Sequence, residues 1–410
     1  MSGDGAAAAA PASFRDVFAS RDFQALWAAV VLSRVGDQLT TVALSILVYH
    51  RTDSPFLTAV TYAITFLPWL IGGPFLAGLA DRLPRRPVMV VCDLVRAGLA
   101  VLLALGHLPL PLLFVVLLAI ALLDPPFSAA QAAVLPDILP GDRYVMGSSV
   151  INVTYEIAQV AGFVAGGVLV ALIGPRQALL VDAATYAVSA LLLGALRVPH
   201  HAAGNDGDGT SLSMLQRARE GARLVFGAPQ LRRLTALASL CAFYVVPEAL
   251  AVPYADHAGA GEAAAGLLLG ANPAGTVVGS LLLARAAPPT RMSSMGPLAV
   301  VSCAPLIACA VSPQWSVVAV LLFVSGLGSA YNLPANAAFM AAVPPQQRGQ
   351  AFGLVGAGMA GGQGLALLLA GAAAHHMSPG SVIAAAGVLG TVAALLLAVQ
   401  LRREPVVVTA

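Results

Sequence analysis

Apolar runs of about 20 residues, the length that crosses a bilayer as a helix, recur along the whole of this chain. No other feature limits its folding as tightly. Between turn signals the runs fall at about 23–49, 56–80, 88–107, 109–133, 145–173, 176–197, 231–254, 261–284, 292–311, 314–340, 350–374 and 379–401. In hydrocarbon a backbone has to satisfy its own N–H and C=O groups, which makes each run a helix. The expectation is an all-α membrane protein with twelve transmembrane helices. Composition agrees, because 59% of the 410 residues are hydrophobic, 10% are charged and the net charge is only +2. A chain this apolar and this balanced in charge is not a nucleic-acid binder.

All 21 basic residues are arginine. Arg51 and Arg176 fall at the predicted outer ends and Arg34 and Arg96 inside spans, while the others lie on the side that the positive-inside rule assigns to the cytoplasm. Both termini are therefore expected in the cytoplasm, with the chain multi-pass in the cell membrane. Residues 1–12 lack a basic stretch before an apolar core and read as a tail, not a cleaved signal. Ser13-Phe14-Arg15-Asp16 has capping-box spacing and starts a short interfacial helix. The expected organisation is a tail and interfacial helix over 1–22, a six-helix bundle over 23–197, a linker over 198–230, a second six-helix bundle over 231–401 and a tail over 402–410. The linker opens on a polar run from His200 to Asp208 and then regains helical spacing from Ser211, with Arg217, Arg219 and Arg223 free to meet lipid phosphates. His200, His201, Asp206 and Asp208 read as a solvated loop, with a metal site as the alternative. Cys92, Cys241, Cys303 and Cys309 lie in apolar runs without ligand spacing, so no metal and no disulfide is expected.

The two bundles repeat each other. At an offset of 205, the stretch from Gln131 to Arg143 aligns with that from Asn336 to Arg348. Duplicated halves suit a carrier with its substrate site between them near mid-membrane.

Between the second and third runs stands a charged knot, Ala77-Gly78-Leu79-Ala80-Asp81-Arg82-Leu83-Pro84-Arg85-Arg86-Pro87. With the twelve-span layout it resembles the major facilitator superfamily of secondary transporters, whose loop between helices 2 and 3 carries Gly, then Asp-Arg, then Gly and a basic pair. Asp81, Arg82, Arg85 and Arg86 fall on that pattern, whereas Ala77 and Pro84 stand where the family has glycines. The variant looks most like the branch of bacterial drug and siderophore exporters. The resemblance implies two pseudo-symmetric six-helix bundles and a gating latch in which the loop Asp meets the start of helix 11, here Gly349-Gln350-Ala351. Asp93 and Arg96, three apart in span 3, are grouped with this loop. The family's antiporter motif, Gly-Pro-x-x-Gly-Gly, is matched in span 5 by Gly162-Phe163-Val164-Ala165-Gly166-Gly167, with Phe163 in place of the proline. Close helix packing explains those glycines equally well.

An ionisable group inside a span costs roughly 2.5–3.5 kcal/mol on insertion scales and needs a partner or a wet cavity. Arg34 and Asp37 share a face of span 1 with Thr41 and Ser45. Asp124, Ser128 and Gln131 form a stripe on span 4; Asn152, Glu156 and Gln159 on span 5; Tyr244 and Glu248 on span 7; and Ser325, Asn332 and Asn336 on span 10. Polar faces on spans 1, 4, 7 and 10 match the cavity-lining helices that the resemblance implies. Arg34–Asp37 reads either as a static ion pair or as part of the coupling machinery. Asp124, just before Pro125-Pro126, reads as a kink cap or a titrating acid. Glu156, with no basic residue within a turn, is the expected proton carrier, and Glu248 the expected contact for a cationic substrate. Asp182 is expected near the outer, wetter surface.

These features describe a secondary active transporter working by alternating access and exporting a small amphipathic, drug- or siderophore-like molecule in exchange for protons. Uptake or facilitated diffusion is the alternative, with a non-transporting membrane receptor or enzyme after it. No Gly-x-x-x-x-Gly-Lys-Ser/Thr, Gly-x-Ser-x-Gly or His-Glu-x-x-His run occurs, which argues against an ATPase and against an enzyme. No cofactor is expected, the partners are substrate, protons and lipid, and the chain is expected to act as a monomer.

Overall fold

The computed structural model describes residues 14–80, 84–106, 108–197, 214–311, 314–344 and 347–403. The described residues are helical wherever they are regular, with no strand among them. Eleven helices or helix series are long and apolar enough to cross a membrane. They are span 1 (Arg21–Thr52), span 3 (Arg85–Ala104), span 4 (Leu110–Ile138), span 5 (Asp142–Ile173), span 6 (Pro175–Gly194), span 7 (Pro229–His257), span 8 (Gly261–Ala284), span 9 (Pro288–Ala310), span 10 (Trp315–Ala342), span 11 (Arg348–Ala373) and span 12 (Pro379–Leu401). Span 2 is the 26-residue helix Pro55–Ala80, of which Pro55–Leu70 is apolar by composition. Two shorter helices, Phe14–Phe18 and Met214–Gly227, precede span 1 and span 7.

Several spans are broken, and prolines explain where. Proline has no N–H to close the helical ladder. Span 4 divides at Leu123, before Asp124-Pro125-Pro126, and span 10 at Tyr331, before Pro334. In both, a tight i to i−3 bond replaces the helical one: Leu123 N–H donates to the Ile120 carbonyl at 3.1 Å and Tyr331 N–H to the Gly328 carbonyl at 3.2 Å. The two breaks occupy corresponding places in the repeated halves. Span 7 divides before Pro247, and span 9 tightens into a 3₁₀ helix at Ala304–Ala310, which contains Pro305.

Span 1 packs on spans 5 and 6, span 3 on span 6, span 8 on spans 5 and 10, and span 2 on span 11. The crossings between the halves are close because they are made of glycine and alanine. A Cβ on Gly167 of span 5 would sit 2.6 Å from Cα of Gly266 in span 8, and one on Gly371 of span 11 would sit 2.5 Å from Cβ of Ala59 in span 2. Gly162 and Gly166 press span 5 on span 1 instead, against Gln38 and Leu39. The glycines of the antiporter-like stretch therefore serve close packing here.

The two ends of the molecule differ. At the end with few arginines, Tyr49 Oη donates to Asp256 Oδ2 at 3.2 Å, His50 lies 3.9 Å from Glu262, and Ser54 Oγ lies 3.5 Å from a ring nitrogen of His375. Each contact joins one half to the other. Toward the arginine-rich end, Gly349, Gly353, Gly356 and Gly358 of span 11 have open space on their faces. There the helix Met214–Gly227 approaches the start of span 11, with Gly221 facing the Gln350 backbone.

Candidate functional site: a charged vestibule in the first half

Two adjoining cavities of about 220 and 460 Å³ share Arg34, Gln38, Trp69 and Gln159 on their walls. The larger falls within the range of ligand pockets, roughly 300–1,000 Å³. It runs toward the arginine-rich end and reaches Tyr144 in the first turn of span 5. Apart from Glu248 of span 7, every described wall residue belongs to the first half.

The wall is held by ion pairs drawn from spans 1, 3 and 4. Arg34 lies 2.9 Å from Asp124 Oδ1 and 3.6 Å from Asp37 Oδ2, and its other nitrogen donates to Ser128 Oγ at 2.8 Å. Its guanidinium also sits over the Tyr155 ring, 4.6 Å from the centroid. Arg96 is only 1% exposed; it lies 3.5 Å from the same Asp124 oxygen and 3.8 Å from Asp93, above the rings of Phe127 and Tyr186. Asp124 thus bridges two guanidiniums, and the proline break beside it turns its carboxylate toward both. Tyr186 Oη donates to Asp37 Oδ1 at 2.6 Å, and Ser189 Oγ to Asp93 Oδ2 at 2.5 Å. Buried charges persist where partners and hydroxyl donors surround them in this way.

Of the residues singled out in the sequence, Arg34, Asp37, Asp124 and Glu248 line the cavities. Asp93 and Arg96, grouped above with the charged knot, instead bond to Ser33, Ser189 and Asp124 inside the first bundle. Asp81 and Arg82 lie outside the described residues, as do His200, His201, Asp206 and Asp208. Arg85 pairs with Asp137 at 2.7 Å and bonds the Ala133 carbonyl, while Arg86 donates to the Gly194 carbonyl, so the basic pair ties span 3 to spans 4 and 6. The span 5 stripe splits. Asn152 and Gln159 line the larger cavity, but Glu156 lies on the exposed face of the helix beside Val153 and Ile157. The span 10 stripe splits as well: Ser325 is buried, donating to the Ser302 carbonyl and accepting from Asn272; Asn332 donates to Tyr244 Oη at 3.1 Å; and Asn336 is exposed. Asp182 is fully buried, not exposed at the outer surface, and accepts from Thr40 and Thr185. Among the described residues no group of His, Cys, Asp and Glu has the arrangement of a metal site.

Tyr186, Tyr155, Thr40 and Tyr62 also belong to the site and are not among the residues singled out in the sequence. Asp182, Tyr186 and Ser189 recur at i, i+4 and i+7, a polar stripe on span 6 that helical spacing is able to expose.

Comparison with known proteins agrees with this architecture. A bacterial homolog of the human lysosomal transporter Spinster, solved in an inward-facing unoccupied conformation, matches over 93% of this chain and 94% of its own, with a TM-score of 0.66 at 16% identity. A point mutant of the nucleoside transporter NupG matches over 93% and 99%, with a TM-score of 0.72 at 15% identity. At such identities the likeness is one of fold. In sequence, an uncharacterized MFS-type transporter, YkuC of Bacillus subtilis (strain 168), is 28% identical over 190 residues, 46% of this chain and 44% of YkuC. The multidrug efflux pump Tap of Mycobacterium tuberculosis (strain ATCC 25618 / H37Rv) is 28% identical over 248 residues, 56% of this chain and 57% of Tap. The chain spans about half the length of these curated relatives. The family model for the Major Facilitator Superfamily matches residues 26–290 and 234–409, and this multi-pass membrane chain belongs to that superfamily of transporters.

Proposed function

We propose that this chain exports a small amphipathic molecule in exchange for protons, by alternating access between its two halves. The observation that carries the reading is the Arg34–Asp37–Asp124–Arg96 network on the wall of a cavity large enough for a drug-sized ligand. Charges with several near-equivalent partners can exchange them when a proton or substrate arrives, and each exchange favours one arrangement of the helices over another. Clustered glycines at the crossings of spans 5 and 8 and of spans 2 and 11 supply a pivot between the halves. With the arginine-rich end in the cytoplasm, the cavity receives substrate from the cell interior, and the Tyr49–Asp256 and His50–Glu262 contacts close the outer side. Glu248, the described wall residue from the second half, faces aromatic side chains of span 2 and suits a cationic group on the substrate. Asp81, with Arg82, serves as a gating latch at the start of span 11.

Dye efflux into inside-out vesicles, with and without an imposed proton gradient, tests the reading. Gradient-dependent accumulation is expected, falling at least about tenfold in Asp37→Asn and little in Glu156→Gln. Flux indifferent to the gradient would leave facilitated diffusion as the function, and full flux in Asp37→Asn would remove the network from coupling.

A further inference from the structure

The charged cluster inside the first bundle holds more acid than base. Arg34 and Arg96 face Asp37, Asp93, Asp124 and Asp182, and the first three of these carboxyls each contact a guanidinium. Asp182 differs from them. It is fully buried, and the groups bonded to its carboxyl are hydroxyls: Thr40 Oγ1 donates to Oδ2, and Thr185 Oγ1 lies 3.1 Å from Oδ1. Thr185 Oγ1 is also 2.8 Å from the Asp182 carbonyl, so its single proton serves only one of the two oxygens at a time. Gly36 makes room for this carboxyl, because a Cβ there would collide with Asp182 Oδ1.

The charged and titratable groups on the packed elements are engaged elsewhere. Span 1 offers Asp37, which accepts from Tyr186, and span 3 offers Arg96, which pairs with Asp93 and Asp124. Asp93 of span 3 is held by Ser33 and Ser189. On span 5, Tyr155 donates to Gln131 and Glu156 is exposed. Tyr186, one turn along span 6, donates to Asp37. One route leads from the cavity to Asp182. Thr40 is on the wall of the smaller cavity and bonds directly to the carboxyl.

We propose that Asp182 holds the exchanged proton, loaded from the cavity through the Thr40 hydroxyl. In the loading step a hydronium ion in the cavity gives a proton to Thr40 Oγ1 as that oxygen passes its own proton to Asp182 Oδ2. One O–H bond breaks on hydronium and one on threonine, one forms on threonine and one on the carboxyl, neutral water stays in the cavity and a single positive charge moves inward; unloading reverses each change. Its place in transport rests on the proton-coupled reading above, whereas protonation of the carboxyl can be observed without any transport.

Infrared spectroscopy of the purified full-length protein in lipid nanodiscs at neutral pH provides the first test. A protonated-carboxyl C=O band is expected in the wild type, absent in Asp182→Asn and shifted in Thr40→Val, which loses the hydroxyl donor. No such band in the wild type, or a band unchanged in Asp182→Asn, overturns the proposal. Should the Asn variant fail to fold, a band unshifted in Thr40→Val overturns it. The second test uses proteoliposomes and ethidium. Asp182→Asn is expected to lose gradient-driven accumulation at least about tenfold more than downhill exchange; equal losses, or none, overturn the proposal. A purely structural Asp182 would not separate the two rates, since an Asn carbonyl still accepts from Thr40. If the wild type moves no ethidium under a gradient, the function proposed above fails for that probe while the infrared result still decides on Asp182.

Discussion

The two halves align in sequence and break their fourth helices at corresponding places, yet their interiors are chemically different. The first half buries ionisable side chains: Arg96 is 1% exposed and Asp93 fully buried, tied to Arg34 and Asp37 through Asp124. The second half, at comparable depth, uses neutral pairs. Asn272 bonds Ser325 at 3.2 Å, Thr276 meets Ser329 at 2.7 Å, and Tyr331 Oη donates to the Leu237 carbonyl at 3.0 Å. Neutral hydrogen bonds hold helices together in one arrangement, whereas charges with shared partners respond to whatever enters the cavity. Duplication supplied one scaffold twice, and the ionic chemistry is concentrated in the first copy.

The largest test of this contrast is Arg96→Met. Removing one member of a buried ion pair leaves its partner uncompensated, and the expected loss is about 3–5 kcal/mol, read as a fall in the midpoint of thermal unfolding in detergent. A loss no larger than that of a neutral pair would erase the distinction between the halves. Gly266→Leu is expected to act next most strongly, at about 1–3 kcal/mol from overpacking, because even a Cβ there meets Gly167 Cα at 2.6 Å. It should also part the halves at the arginine-poor end, seen as faster labelling of a Tyr49→Cys probe by a membrane-impermeant thiol reagent. Unchanged labelling would show that the halves do not hinge at this crossing. Asn272→Ala is expected to cost least, about 1 kcal/mol for one neutral hydrogen bond, with gradient-driven flux retained. A collapse of flux in that variant would put coupling chemistry in the second half as well.

Much of the site is legible along single helices. Arg34 and Asp37, three apart, share a face as their spacing predicts, and lie 3.6 Å from each other. Asp124, beside two prolines, stands at the break of span 4 and pairs with Arg34 and Arg96. What single helices do not give is how one helix is placed against another. Asn152 and Glu156 are four apart, about 40° around a helix; both are exposed, and of the two Asn152 borders the larger cavity. Asp93 and Arg96 stand near the charged knot in sequence, but spans 1, 4 and 6 meet their side chains first. Depth along span 6 alone places Asp182 close to a wet surface, whereas span 1 covers it at Gly36 and Thr40.

Membrane class, the spans, the repeated halves and the one-sided distribution of arginine are available from residue order alone. Each reflects the transfer of a side chain between water and lipid, which depends on residue type and local run length and hardly on distant neighbours. Which buried acids share a cation, which one is left with hydroxyls, and which polar face meets a cavity become visible only once the helices are docked. Those outcomes depend on angstrom-scale approach at Gly36, Gly167 and Gly266, where a single methyl group would move the partners apart, and helical periodicity carries no information about such a distance.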